Sequence, residues 1–335
     1  MFIKINALKR SVVITAAALV FCAQAPASET DQFHRRAEPL TDSTEALNKK
    51  TNEMIAAIVA ERRNNPRQQL MAKAIYRELG GIRMVDPLER WLIDSGDIAT
   101  REVPRDESIY ADMPIWSIRT VYLFGLGQTL SVNDQLIGSD KISHFLSQGW
   151  KFYKRYQKSG SEASAAKRGV TTERAIFGAG STGSFSNADL VANFEGYRFY
   201  RSLFEDDVID GKPAILRWEN GVGWVMQRQF DWADHVNPYW DEALNMNSYD
   251  ALLRGRMHKK LVSLCPQYWQ DPAIYRIENE AELRGRYAHL GMRDTRDTRL
   301  DTLCLAHLPE PTIETLVATN DGRGPSNSQL VVPTR

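Results

Sequence analysis

The chain has 335 residues, and its 42 Lys and Arg are balanced by 42 Asp and Glu. Nucleic-acid-binding domains are normally markedly basic, so this balance excludes an obvious nucleic-acid partner. The length and the 43% hydrophobic content are sufficient for one large domain or two small ones, each with its own core.

The N-terminal 27 residues have the layout of a secretory signal peptide. A basic region is followed by the apolar stretch 11–22 and by small residues at 25–27, just before Ser28. The apolar stretch is too short to span a bilayer, and no later apolar run reaches the length of a spanning helix. We therefore expect a soluble periplasmic or secreted protein, cleaved before Ser28, with no transmembrane span in the mature chain.

The cysteines fit this location. Cys22 raises the alternative of a lipoprotein, which is less favoured because the bulky Phe21 precedes it. After cleavage only Cys265 and Cys304 remain, and two cysteines in an oxidising compartment predict a disulfide. Two buried free thiols are the alternative.

The pattern of apolar residues predicts a mainly α fold, a helical bundle with one or two small β-hairpins. One domain is expected over 43–308, with a flexible leader at 28–42, a loosely ordered tail at 309–335 and a short strand at 116–124. The expected hairpins are 130–137, turning at Asn133-Asp134, and 215–230, turning at Asn220-Gly221. The predicted helices cover 43–63, 66–79, a short stretch after Pro87, 139–158, 165–177, 186–204, 248–264 and 272–289.

The helix predicted from residue 139 carries the first candidate site residues. Asp140 and His144 lie one turn apart on its polar face, so the carboxylate and the imidazole can touch. Such a pair can orient a general base, stabilise an imidazolium or share a metal ion. Alternatively, Asp140 serves only the start of the helix, and His144 is a solvated surface residue.

The helix predicted from residue 186 carries a second polar stripe, formed by Asp189, Asn193, Gly196 and Tyr200. Asp189 either contributes to a site or only completes a capping box with Ser186. A mid-helix Asn is usually exposed or bonded to a specific partner, and a helical Gly is tolerated where something approaches closely.

Two loops complete the candidate region. The Gly-rich segment 178–184 favours a tight link between helices over an anion-binding loop, and Glu173 just before it is a candidate lone acid. The segment 231–247 carries four acids and several aromatic residues, including Trp240 and Asp241 as candidate binding residues. Its acids could bind calcium, but pairing with nearby arginines is the simpler expectation.

Three motifs in the middle of the chain carry a family resemblance. They are DK-x-x-HF within 138–145, STG-x-x-S-x-ADL-x-AN-x-x-G at 181–196 and FDWAD-x-VNP-x-WDE at 230–242. Together they resemble a group of uncharacterised exported bacterial proteins. The first motif alone also resembles a helix start in VanZ-like proteins, whose membrane-embedded topology does not fit this chain. The resemblance implies a shared architecture and assigns no reaction.

We therefore expect an exported envelope protein with a polar pocket around His144, acting as a non-catalytic binding or structural protein. Its expected partner is an envelope glycan, lipid or protein. The alternative is a cell-envelope hydrolase of glycans or lipids that uses His144 with the acids Asp140 and Asp189, with or without a metal ion. No cofactor is indicated, and no G-x-S-x-G or H-E-x-x-H signature is present.

Overall fold

The computed structural model describes residues 29–81, 85–118, 121–122, 125–166 and 184–307. These residues are mainly α-helical, with short antiparallel strand pairings, and they confirm the predicted fold class. The signal peptide with Cys22, the predicted helix 165–177 beyond residue 166, Glu173, the loop at 178–183 and the tail 309–335 lie outside the described residues.

The helices are α1 (Thr44–Glu61), α2 (Gln68–Leu79), α3 (Pro87–Asp94), α4 (Asp140–Ser143), α5 (Gly149–Ser159), α6 (Asn187–Ser202), α7 (Ala251–Val262), α8 (Cys265–Gln270), α9 (Glu280–Tyr287) and α10 (Leu300–Ala306). The strands are β1 (Thr100–Arg101), β2 (Thr129–Val132), β3 (Gln135–Gly138), β4 (Ser184–Phe185), β5 (Leu216–Glu219), β6 (Gly223–Met226) and β7 (Ser248–Tyr249). Strands β1, β2 and β3 form one antiparallel sheet, and β4 pairs with β7 and β5 with β6.

One continuous helix runs through the middle of the fold. α4 passes into α5 through a π-helical segment, His144–Gln148, and we call the whole stretch 140–159 the central helix. A π-helical turn adds a residue to the helix and leaves its carbonyls poorly paired. The Tyr200 hydroxyl of α6 compensates in part, because it donates a 2.9 Å hydrogen bond to the Leu146 carbonyl.

The central helix and α6 pack with their backbones in contact. A Cβ on Gly196 would overlap the backbone of Phe145, and a Cβ on Gly149 would lie 2.6 Å from the Gly196 Cα. Only glycines allow this approach, which explains why a residue that weakens helices occupies the middle of α6.

The main core surrounds Phe145, whose side chain is fully buried. Its ring centroid lies 4.8 Å from that of Trp232, 5.3 Å from Phe199 and 5.7 Å from Trp240. Large aromatic side chains bury much apolar surface, so this cluster fixes the segment 230–240 against the central helix.

Both predicted hairpins are present. The β2–β3 hairpin turns at Asn133 and Asp134, whose φ angles of 52° and 57° suit a two-residue turn. The β5–β6 hairpin turns at 220–222, with Gly221 at φ 80°.

Three local predictions were wrong. The helix predicted over 272–289 is interrupted, because only the 3-10 turn Pro272–Tyr275 and the helix Glu280–Tyr287 form within it. The segment 116–124 is not a strand where it is described, because the Ile118 amide bonds the Pro114 carbonyl and the Tyr122 amide bonds the Ile118 carbonyl in helical turns. The leader is not flexible from residue 29 onward. Asp31 is 1% exposed, and its carboxylate accepts hydrogen bonds from the Phe33 and Ile109 amides, which anchors the leader to the fold.

The C-terminal helices form a second apolar cluster, which is cross-linked. Cys265 of α8 and Cys304 of α10 lie at disulfide distance, 2.04 Å between their sulfur atoms, as the sequence predicted. Across the described residues, every helix is too short or too polar to span a bilayer.

Candidate functional site

A buried ammonium lies at the centre of the candidate site. Lys141 is completely buried, and its Nζ donates hydrogen bonds to Asp140 Oδ2 at 2.7 Å and Glu242 Oε1 at 2.8 Å. Asp189 Oδ1 is also 2.7 Å away, a contact with ion-pair distance but without hydrogen-bond geometry. One ammonium thus contacts carboxyl groups from α4, α6 and the segment 231–247. We call Asp140, Lys141, His144, Asp189, Asn193 and Glu242 the polar centre.

His144 lies at the edge of this cluster. Its Nδ1 is 3.0 Å from the Asn193 amide oxygen, and its Nε2 is 3.4 Å from Asp189 Oδ2. Since an amide oxygen only accepts, this orientation places a proton on Nδ1. The side chains of His144 and Asp189 are only 9% and 15% exposed, so the polar centre barely reaches the surface.

The electrostatics reflect an excess of buried carboxylates. Burial raises the pKa of Asp140 and that of Glu242, although Lys141 opposes both shifts. Burial acts on Asp189 in the same direction, but the charges of His144 and Lys141 hold its pKa below the ordinary value. Burial alone would lower the pKa of Lys141, but its three carboxylates hold it well above the usual range.

A serine ladder lies beside the polar centre on the central helix. Ser139 and Ser143 donate hydrogen bonds to Glu89 of α3, and Ser147 donates to Asp86 Oδ2 at 2.7 Å. Burial raises the pKa of Asp86 to about 7 and that of Glu89 to about 8. Near neutral pH the two groups therefore carry less negative charge than ordinary carboxylates would, Glu89 the less of the two.

The structure brings together four of the residues predicted from the sequence. Asp140, His144, Asp189 and Asn193 lie in one cluster, although they come from separate helices. The surface alternative for His144 does not hold, since residues 140–150 are all buried. Ser186 does cap α6, accepting the Asp189 amide at 3.0 Å, but the Asp189 carboxylate contacts Lys141 and His144 instead of completing the box.

Three other residues that the sequence predicts as binding residues are buried and do not form a binding surface with His144. Asp241 is fully buried in an ion pair with Arg36 at 2.7 Å, so it does not face His144. Trp240 is a fully buried core residue and offers no surface for a partner. Tyr200 is fully buried too, with its hydroxyl bonded to the backbone of the central helix.

Most acids of the segment 231–247 pair with cationic side chains, as expected, and do not form a calcium site. Asp234 pairs with Lys212 and Arg228, whereas Asp241 and Glu242 pair with the cations described above. Asp231 instead accepts hydrogen bonds from the Asn48 side-chain amide and the Ala233 N–H. The four carboxylates thus have separate partners, so the segment does not collect its oxygens around one point as a calcium loop does.

A second buried charge cluster lies on the other side of α6. Glu195 is fully buried and accepts a 2.8 Å hydrogen bond from the Tyr287 hydroxyl. It also pairs with Arg198 at 3.1 Å and lies 3.0 Å from His235 Nδ1. Sequence reasoning missed this group, whose members lie as much as 92 positions apart.

Sequence reasoning also missed Lys141 and Glu242 as site residues. Lys141 lies beside the predicted Asp140, but lysines are rarely fully buried, so nothing in the sequence singles it out. The sequence presents Glu242 as one of four acids in the segment 231–247 and does not distinguish it from its neighbour Asp241. The spacing of Ser139, Ser143 and Ser147 by four residues was the one available signal that this helix face packs against polar partners.

Part of the polar centre has the residue types of a metal site. Asp140, His144 and Asp189 each offer one ligand atom, and these atoms lie within 4.8 Å of one another. However, the Lys141 ammonium contacts both carboxylates at 2.7 Å. A divalent cation on the same carboxylates would be repelled by that ammonium, so the donor set fits a lysine counter-ion better than a metal.

No protein-family model, curated protein or solved structure matches the chain.

Proposed function

We propose that this chain is an exported, non-catalytic binding protein of the cell envelope, in which the polar centre around His144 is a structural charge centre. The observation that carries the proposal is the full burial of Lys141 among three carboxylates. A buried ammonium that contacts carboxyl groups of three separate segments ties these segments together.

The surroundings of His144 support the same conclusion. Both ring nitrogens face protein groups, Asn193 on one side and Asp189 on the other. A general base must reach the proton it removes, either directly or through one water. The His144 ring is poorly placed for this, because both of its nitrogens already face protein groups.

The proposed export rests on the sequence. A basic region, a short apolar stretch and small residues before Ser28 predict cleavage there, and a disulfide between Cys265 and Cys304 suits an oxidising compartment. Mass spectrometry of the protein from a periplasmic fraction tests this directly. We expect a chain that begins at Ser28, and an uncleaved cytoplasmic chain would contradict the proposal.

His144→Gln tests the structural role. Glutamine keeps a hydrogen-bonding side chain but cannot act as a general base near neutral pH. We expect the variant to lose about 1–2 kcal/mol of stability, because Asn193 and Asp189 lose a buried partner. The native protein and the variant should behave alike on p-nitrophenyl esters, phosphates and glycosides.

The hydrolase alternative is favoured by one observation, the placement of an imidazole beside the carboxylate of Asp189. It predicts the opposite pattern for the same variant. Turnover of one of these substrates by the native protein, lost in His144→Gln with unchanged stability, would replace the structural proposal with the catalytic one.

A further inference from the structure

A small cleft lies on the C-terminal side of the molecule, away from the polar centre. Its volume is about 260 Å³, close to the lower end of small-molecule pockets, so it suits a single compact group. We call it the arginine cleft. It is lined by Asn187, Tyr239, Leu244, Asn245, Ile277, Glu280, Arg284, Tyr287, Ala288, Met292, Arg293, Asp294, Thr295, Arg296 and Arg299.

The cleft carries a surplus of positive charge. Four arginines line it, against the two acids Glu280 and Asp294. One oxygen of Glu280 contacts both Arg284 at 2.5 Å and Arg299 at 2.8 Å. Arg299 also pairs with Asp301, and Arg296 pairs with Asp294, so the four arginines still exceed their three carboxylate partners. Each guanidinium has five N–H donors, which leaves donors for an incoming anion.

The rim of the cleft is accessible, and its wall is fixed. The side chains of Arg284 and Arg296 are 52% and 66% exposed. The segment behind them is held by Asn187, which accepts the Arg293 amide at 2.9 Å and donates to the Arg293 carbonyl at 3.0 Å. A preformed wall reduces the entropy lost on binding, which favours recognition of a small ligand.

The remaining lining combines polar and apolar groups. The polar residues Asn245 and Thr295 line the same cleft as the apolar residues Ile277 and Met292. Hydroxyl groups of a sugar suit the polar part, and the C–H face of a sugar ring suits the apolar part. The arginines then account for one acidic substituent.

We propose that the arginine cleft binds an anionic saccharide unit, a hexose that carries a carboxylate or a phosphate. This proposal rests on the binding function proposed above and gives that function a site and a ligand class. The link is α6, which begins at Asn187 in the cleft and carries Asp189 in the polar centre.

Isothermal titration of the full chain with D-glucuronate, glucose 1-phosphate, D-glucose and inorganic phosphate tests the proposal. We expect at least one of the two anionic sugars to bind more tightly than both D-glucose and phosphate. Preference for glucuronate identifies a carboxylate ligand, and preference for glucose 1-phosphate identifies a phosphate ligand. Higher salt should weaken binding, because the rim arginines are exposed to screening.

The double variant Arg284→Gln/Arg296→Gln removes both rim charges. We expect about tenfold weaker binding of the preferred sugar. The matched control, Arg254→Gln/Arg256→Gln on the exposed face of α7, makes the same change in net charge and should leave affinity within about twofold.

Three results would overturn the cleft assignment: no binding of either anionic sugar up to about 10 mM, D-glucose or phosphate bound as tightly as these sugars, or equal affinities in the two double variants. Failure of the proposed non-catalytic function would be seen in a different experiment, as hydrolysis of a test substrate that depends on His144. Protein with intact sugar binding and His144-dependent turnover would retain the cleft but lose the non-catalytic proposal.

Discussion

Lys141→Met is the perturbation that bears most directly on the polar centre. Methionine matches the length of the lysine side chain but removes its charge, leaving Asp140, Asp189 and Glu242 without their counter-ion. Each contact of 2.7–2.8 Å has a gross Coulomb energy of about 6 kcal/mol at an effective dielectric constant of ~20. Desolvation of the ammonium and repulsion among the carboxylates offset most of this energy.

We therefore expect a net loss of about 3–5 kcal/mol in the free energy of unfolding near pH 8, as for other buried pairs that lose one partner. The loss should depend on pH. Without Lys141, the folded-state pKa values of Asp140 and Glu242 rise further above their unfolded values, and the pKa of Asp189 rises from its lowered value. The folded variant then binds more protons than the unfolded chain, so its stability increases relative to the native protein as the pH falls.

Urea unfolding at pH 8 and pH 5 measures both effects. We expect the loss at pH 5 to be smaller by about 1 kcal/mol or more. Lys259→Met, at an exposed position of α7, is the matched control and should change stability by less than about 0.5 kcal/mol. If Lys141→Met alone fails to fold, the double variant Lys141→Met/Glu242→Gln should recover about 1–3 kcal/mol by removing one orphaned charge. A loss below about 1 kcal/mol that is the same at both pH values would refute the reasoning.

The remaining predictions concern packing, buried acids and the cross-link. Gly196→Ala should destabilise the protein by about 2–3 kcal/mol in thermal unfolding, because the new methyl group meets the Phe145 backbone. The control Gly255→Ala, where a Cβ would have nothing within 4 Å, should stabilise the protein by about 0.5–1 kcal/mol. Glu89 has a raised pKa of about 8, so the stability it contributes when protonated is lost as the pH rises toward that value. Glu89→Gln should make the slope of unfolding free energy between pH 5.5 and 7 less negative by about 1.4 kcal/mol per pH unit, and Glu61→Gln, which is exposed, should leave the slope unchanged. Replacing both disulfide cysteines by serine, which opens a loop with a sequence separation of 39, should cost about 3–4 kcal/mol in urea unfolding, and no loss would show that the cross-link is unimportant.

Local sequence patterns predicted much of the fold. The turn chemistry of Asn133-Asp134 and the periodicity of 44–61 and 187–202 are short-range signals, and they gave the correct elements. The strand predicted at 116–124 was wrong because helical turns after Pro114 overrode the β-preference of its residues. The leader was misjudged because a polar segment can pack when its side chains, such as Asp31, have partners far along the chain.

The polar centre was only partly predictable for a related reason. A helical wheel placed Asp140 and His144 correctly on one side, since they are one turn apart. It leaves open whether that side faces a pocket or solvent, whereas residues 140–150 of the central helix are all buried. The partner of a buried charge is set by tertiary packing, so Glu242 could not be distinguished from Asp241 by sequence alone.

Titration of the native protein with Zn²⁺ by calorimetry at pH 7.5, alongside His144→Gln, tests the assignment of the polar centre most directly. With the ammonium of Lys141 as its counter-ion, the native protein should bind no zinc with micromolar affinity through His144. One equivalent of zinc bound with micromolar affinity by the native protein, and lost in His144→Gln, would contradict a lysine-neutralised structural centre and would instead establish a metal site.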